Sequence, residues 1–227
     1  MTESSRSNMA RRENLPHEIA KELRSRIFSA QLPALSRIDQ DAVAKDLGVS
    51  RLPVREALIA LESEGLVFSR PRRGVYVESL TRTDVLDHFY IYGLISKLTA
   101  ERAAANVTDE ELSHLQNVQM KLEGSDSPSK QEELNYSFHR TINVKGGSRR
   151  TRFVLRSLLH GIPTGFYETH DSWSGESARH HQLILRSLEL RDATAAGEAM
   201  FEHILESGRR AIGLLEASGF WNPDPQE

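Results

Sequence analysis

The sequence predicts a mainly α-helical protein: an N-terminal winged helix-turn-helix with a small β-hairpin wing, followed by an all-helical C-terminal bundle. Three observations predict it. The stretch Asp46 to Leu58 reads as the turn and second helix of a helix-turn-helix. The runs Gly65-Leu66-Val67-Phe68 and Val75-Tyr76-Val77-Glu78 flank a basic tip, Arg70-Pro71-Arg72-Arg73-Gly74. Beyond Leu80 no strand pattern appears, and apolar residues recur at helical spacing.

Taken in chain order, residues 1–13 are polar and read as a flexible tail, and residues 14–79 form the first domain. From Leu15 a helix carries the stripe Ile19, Leu23, Ile27 and Phe28 and ends near Leu32-Pro33. Val43, Ala44 and Leu47 have the spacing of a supporting helix. Gly48 permits the tight turn, Ser50 can cap the next helix, and Pro53 falls in its first turn, where a missing donor costs little. Val54, Ala57, Leu58 and Leu61 share one side of that helix; Arg51 and Arg55, four apart, share another. Arginine is the side chain best shaped to bond guanine O6 and N7 with two donors, so Arg51 and Arg55 are candidate base readers. Arg72, Arg73 and Gly74 form a wing tip suited to phosphate or the minor groove. Two helical arginines alone are ordinarily a solvated face, and a basic tip alone ordinarily keeps a hairpin soluble. Their combination with the apolar face and the turn points to double-stranded DNA.

Composition agrees. Of 227 residues, 38% are hydrophobic and 27% charged, which suits a globular chain with a real core. No apolar run approaches the roughly 18 residues needed to span a bilayer, so no membrane partner is expected. The N-terminus lacks the apolar segment of an export signal, and the absence of cysteine fits a reducing compartment; both lead to a cytoplasmic expectation. The net charge is −3, unevenly spread: Met1 to Glu78 has 13 basic and 11 acidic residues, the remainder 16 and 21. A locally basic small domain joined to an acidic one fits a sequence-specific reader better than a nucleic-acid coat.

After a boundary near Glu78 to Arg82, helices are expected over 82–105, 108–123, 129–143, 148–168, 175–190 and 192–216. They make a second domain over residues 80–218, leaving residues 219–227 as a C-terminal tail. Thr108 with Glu111 three residues on forms a capping box. Gly124 to Ser129, Gly146 to Ser148 and Glu168 to Gly175 read as loops. Eight of nine histidines fall in this domain, and His139, His181 and His203 have spacings that can converge; Asn135 lies one helical turn before His139. A lone helical histidine is ordinarily just an imidazole bonded to a neighbour.

These residues also carry a family resemblance. Leu47-Gly48-Val49-Ser50-Arg51 followed by Pro53-Val54-Arg55-Glu56-Ala57-Leu58, then Leu61-Glu62 and Glu64-Gly65-Leu66-Val67, make residues 20–80 similar to the DNA-binding domain of the GntR family of bacterial transcription regulators. Where relatives usually carry Pro-Gly before the second helix, this chain has Ala34-Leu35, so that loop is expected to take a different course. Residues 84–206 resemble the helical FCD-type domain of the FadR subgroup, many members of which bind a divalent metal through an acidic residue, the histidine four later and two further histidines. The resemblance implies a ligand set of Asn135, His139, His181 and His203, with His180 standing where relatives often have Glu. Asn135 in place of Asp supplies a neutral amide oxygen, a weaker ligand. Three imidazoles suit zinc, nickel or cobalt.

The first helix of this domain usually bears an Arg and, four residues on, a Glu; those places fall here at Tyr92 and Ser96. An effector would then be less acidic or aromatic, or would depend on Arg102, Arg140 or Arg156. Six helices fit the shorter, VanR-like arrangement. The expected function is a sequence-specific regulator, in most such proteins a repressor, whose operator affinity is set by a small carboxylate-type metabolite. Because one winged helix buries only one short helix in the groove, a homodimer on two half-sites is expected. A metal-sensing regulator is the nearer rival. A metal-dependent hydrolase is the further one, since there is no H-E-x-x-H arrangement, nucleophile elbow or phosphate loop.

Overall fold

The apolar stripe of the first helix organises the N-terminal unit. The computed structural model describes residues 3–160 and 175–221. Helix α1 (Glu3–Phe28) packs Ile19, Leu23, Ile27 and Phe28 into the core beneath α3. It begins at Glu3, well before the expected start at Leu15, so the segment expected as a tail is helical. The physical reason is that residues 3–13 contain neither Gly nor Pro but have no apolar stripe, and periodicity is silent on a polar helix. Arg24, buried beside this stripe, meets Glu64 with Nε at 3.1 Å and Nη2 at 2.8 Å, tying α1 to the end of α3 through a two-point ion pair.

Helix α2 (Gln40–Asp46) is capped by Asp39, which accepts from the backbone N–H groups of Asp41 and Ala42 at 2.9 and 3.1 Å. Gly48 then turns the chain with φ +65° into α3 (Arg51–Ser63), whose Val54, Ala57, Leu58 and Leu61 are buried. Strands β2 (Val67–Arg70) and β3 (Gly74–Val77) form the expected hairpin, with Phe68 opposite Tyr76. A two-residue strand β1 (Arg37–Ile38), which the sequence pattern did not reveal, pairs with the other side of β3 and makes a three-stranded antiparallel sheet of order β1-β3-β2.

The loop leading to β1 keeps a glycine-like turn without glycine. Leu35 takes φ +62° and donates its N–H to the Val77 carbonyl at 3.0 Å, although its side chain is largely exposed. A side chain in the left-handed region costs about 1–2 kcal/mol, partly offset by the greater entropy a glycine loses on folding. Leu35→Gly is therefore expected to stabilise the N-terminal unit by about 0.5–1 kcal/mol, read as a rise in its denaturation midpoint. A lowered midpoint would contradict this account.

The second unit runs from Arg82 to Leu214. Its helices are α4 (Arg82–Asn106), α5 (Asp109–Glu123), α6 (Pro128–Gly146), α7 (Arg149–His160), α8 (Gly175–Glu189) and α9 (Ala193–Ala217), six among the described residues. The capping box of α5 is present in both directions: Glu111 N–H reaches Thr108 Oγ1 at 3.2 Å and Thr108 N–H reaches Glu111 Oε2 at 2.9 Å. Helix α6 starts earlier than expected, with Pro128 in its first turn behind the Ser127 cap, and ends on Gly146 rather than before it. Residues 161–168 of the expected fourth helix and the expected loop from Glu168 lie outside the described residues, except Gly175, which opens α8. Phe138, Ile142, Leu115, Leu122, Ile184, Leu188 and Met200 fill the core. Residues from Leu215 group with the first unit rather than ending the second: Ser218 Oγ donates to the Phe28 carbonyl at 3.1 Å, and the Phe220 ring lies 6.0 Å from that of Phe28. No described helix is long and apolar enough to cross a membrane.

Candidate DNA-reading surface and metal centre

Burying Val54, Ala57 and Leu58 turns the opposite side of α3 outward, where Arg51 and Arg55 are both exposed. Arg51 Nε pairs with Asp41 Oδ1 of α2 at 3.0 Å, an exposed bridge that is cheap to give up. Ser50 occupies the N-cap position with extended backbone, yet its hydroxyl makes no capping bond, a departure from the expected cap that leaves the first N–H groups of α3 open. At the wing, Arg72 and Arg73 are exposed, Arg72 with φ +61° and Gly74 with φ +106°. A Cβ on Gly74 would sit 3.0 Å from Arg37 Nε. The Arg70 guanidinium lies over the Phe68 and Tyr76 rings, 5.2 and 4.9 Å from their centroids, a position no local motif signalled.

In the helical unit, His139 of α6, His181 of α8 and His203 of α9 meet in the core. Their ligand-capable nitrogens all lie within 4.8 Å of one another, and all three residues are buried. His139 Nε2 is 3.1 Å and His181 Nε2 3.3 Å from His203 Nε2. Burial drives the imidazoles neutral. It pushes His139 down to about 4, and holds His181 and His203 well below the ordinary value with the neighbouring rings adding to the effect.

The tautomers can be worked out. Gln119 uses its amide nitrogen to donate to Glu123 Oε1 at 2.8 Å, so its oxygen faces His181 Nδ1, also at 2.8 Å. His181 therefore carries its proton on Nδ1 and presents a lone pair at Nε2. His203 Nε2 has two imidazole nitrogens at bonding distance and at most one proton. At most one of the two contacts can then be a directed N–H···N bond, a mismatch that a cation at the centre removes. Phe138, stacked on His181 with centroids 4.0 Å apart, fixes the ring plane. Gln119 is thus a positioning residue, and its pairing across 62 residues of chain left no trace in the sequence.

Asn135, one turn before His139, shares a cavity wall with it, and its amide oxygen is buried without a hydrogen-bond partner among the described residues. The donor set of three neutral imidazoles and one orphaned amide oxygen fits a divalent ion. The cavity, of about 280 Å³, is also lined by Tyr92, Arg140 and Arg156, three of the expected effector contacts. Ser96 is buried with its hydroxyl unpartnered among the described residues, and Arg102 is exposed on α4; neither lines the cavity. Arg152, which was not among the expected residues, does. Its spacing of one turn from Arg156 was the available signal.

A winged helix-turn-helix joined to a helical effector domain defines a class of bacterial regulator, and the comparisons place the chain within it. Residues 15–77 match the family described as bacterial regulatory proteins, gntR family, and residues 89–206 match the FCD domain. An uncharacterized HTH-type transcriptional regulator of Mycobacterium tuberculosis is 30% identical over 173 residues, covering 76% of this chain and 71% of its own. The HTH-type transcriptional repressor RspR of Escherichia coli is 26% identical, covering 90% and 92%. The solved structure of E. coli McbR/YncC shares the fold with a TM-score of 0.65 at 20% identity, over 89% of this chain and 97% of that one. A putative GntR regulator from Rhodococcus sp. RHA1 does so with 0.60, also at 20% identity, over 87% and 97%. The protein belongs to the GntR family, FadR subgroup: it is a DNA-binding transcription regulator with an FCD effector-binding domain, and not an enzyme.

Proposed function

We propose that this regulator is a repressor that binds a two-half-site operator as a homodimer and responds to a small carboxylate metabolite bound beside a divalent metal, zinc foremost. The observation that carries the effector half is the convergence of three buried, neutral imidazoles, two of which, His139 and His203, line a cavity that also holds arginines. Asn135, His139, His181 and His203 would hold the ion, which supplies a Lewis-acidic position for an oxyanion. Tyr92, Arg140 and Arg156 would contact the rest of the ligand. Arg51 and Arg55 would read bases, with Ser50 and the wing residues Arg72, Arg73 and Gly74 against the backbone.

The test uses an operator selected from random duplexes. Arg55→Ala is expected to weaken operator binding by about 1–3 kcal/mol and random DNA far less, whereas Arg72→Ala weakens both and flattens the salt dependence. Equal losses on both duplexes for Arg55→Ala would reassign it to the backbone. Sedimentation of the protein with operator reports the dimer, and a monomer in both free and bound states would end that part of the reading. The triad equally suits a regulator whose signal is the metal itself. A large difference in operator affinity between excess chelator and excess zinc, with no metabolite present, would favour that second reading.

A further inference from the structure

Resting on the reading of this cavity as a metal-assisted effector site, we propose that the effector is a small molecule with two anionic groups. One oxyanionic head would lie beside the histidine triad, and a second anionic group, a carboxylate or a phosphate monoester, would be held by Arg152 and Arg156 of α7 with Arg140 of α6.

The argument is one of charge in a confined space. Arg140, Arg152 and Arg156 line the same cavity as His139 and His203, and none of the three makes an ion pair with a carboxylate among the described residues. Among the described residues Glu132 is the single acidic side chain in that lining, beside three guanidinium groups. The donor set adds to the imbalance. In relatives with Asp at the position of Asn135 the metal's charge would be partly cancelled; here the amide and three neutral imidazoles leave it whole. A monocarboxylate at the metal would therefore leave the guanidinium groups of α6 and α7 in this lining without an anionic partner, beside the apolar walls of Phe89, Leu155 and Leu159.

Geometry agrees with charge. Arg152 and Arg156, one turn apart on α7, present planar forks suited to carboxylate or phosphate oxygens, and Arg140 approaches from α6. A volume near 280 Å³ is at the small end for ligand sites and limits the spacer between the two anionic ends to a few atoms. The loss of the relatives' arginine at Tyr92 is thus met by cations on different helices, farther along the same cavity.

Calorimetric titration of the zinc-loaded full-length protein tests this. The probes are lactate as a monoanion, malate and 2-hydroxyglutarate as dianions, and 3-phosphoglycerate, in which a phosphate of charge about −1.5 to −2 is the second anionic group; all bear the same 2-hydroxycarboxylate head. At least one probe with two anionic groups is expected to bind tenfold or more tightly than lactate, and the preferred one tells whether the second group is carboxylate or phosphate. The double variant Arg152→Gln/Arg156→Gln should lose that preference while keeping its zinc-induced melting shift. Equal binding of all four probes, binding of none of them, or a preference that survives the double substitution overturns the proposal. Absence of a zinc-induced melting shift in the unsubstituted protein would instead overturn the underlying metal-site reading.

Discussion

Zinc is expected to raise the melting temperature of the helical unit, and His181→Ala to abolish that rise. Binding to the folded state alone stabilises by RT ln(1 + [L]/Kd), about 2.7 kcal/mol when free zinc is a hundredfold above Kd. For a domain of this size that is several degrees. Because His181 is fully buried, its truncation also leaves a void and lowers stability without metal. The informative quantity is therefore the difference between melting in zinc and in chelator for each variant, in which the packing loss cancels. His139→Ala and His203→Ala should behave alike, since all three nitrogens meet at one point. Asn135→Asp should enlarge the difference by adding a full negative charge against the ion, and Gln119→Leu should shrink it by releasing the His181 tautomer. A zinc-dependent shift that persists in all three histidine variants would place the ion elsewhere, and no shift in the wild type would leave the triad as polar lining of the cavity.

Gly146→Ala is expected to cost about 3 kcal/mol or more, enough to deplete the folded helical unit. An ideal Cβ there would lie 1.8 Å from the Thr99 carbonyl oxygen and 2.8 Å from the Ala103 backbone nitrogen, so the obstacle is the main chain of α4, not a side chain that can swing away. Helices α4 and α6 can cross this closely only because one of them lacks a side chain at the crossing. The crossing is fastened by Thr99 Oγ1 donating to Asn143 Oδ1 at 2.7 Å. Relief would require the helices to separate, which would also displace His139 on α6. Overpacking usually costs about 1–3 kcal/mol, and backbone clashes lie at the upper end or beyond. Gly213→Ala supplies the contrast. Its Cβ would meet nothing within 4 Å, so the substitution should be neutral or stabilise α9 by up to about 1 kcal/mol. Comparable melting temperatures for the Gly146→Ala variant and the wild type would refute the close-crossing account.

The sequence by itself determined what depends on short-range spacing. Gly48 and the alternating faces of α3 marked a helix-turn-helix, the β-branched runs around Arg72-Arg73-Gly74 marked a wing, Thr108 with Glu111 marked the start of α5, and Asn135 with His139 marked one helical face. Each signal is complete within a few residues, because turn geometry, capping and helical periodicity are local physics. The resemblance to known regulators then joined histidines that periodicity alone could not.

Tertiary structure decided what depends on which surfaces meet. The polar start of α1 has no stripe to reveal it, and β1 is two residues long and exists only as a partner of β3. Ser50 has the residue type and place of a cap but makes no cap bond. Gly146 reads as loop punctuation and is instead the contact point of two helices. Gln119 is an ordinary helical residue until α5 meets α8, and Arg152 joins Arg140 in the cavity lining only once α7 packs against α4. For β1, Gly146 and Gln119 the deciding neighbour lies tens of residues away, and packing across that distance, not the preference of the local chain, sets which groups meet.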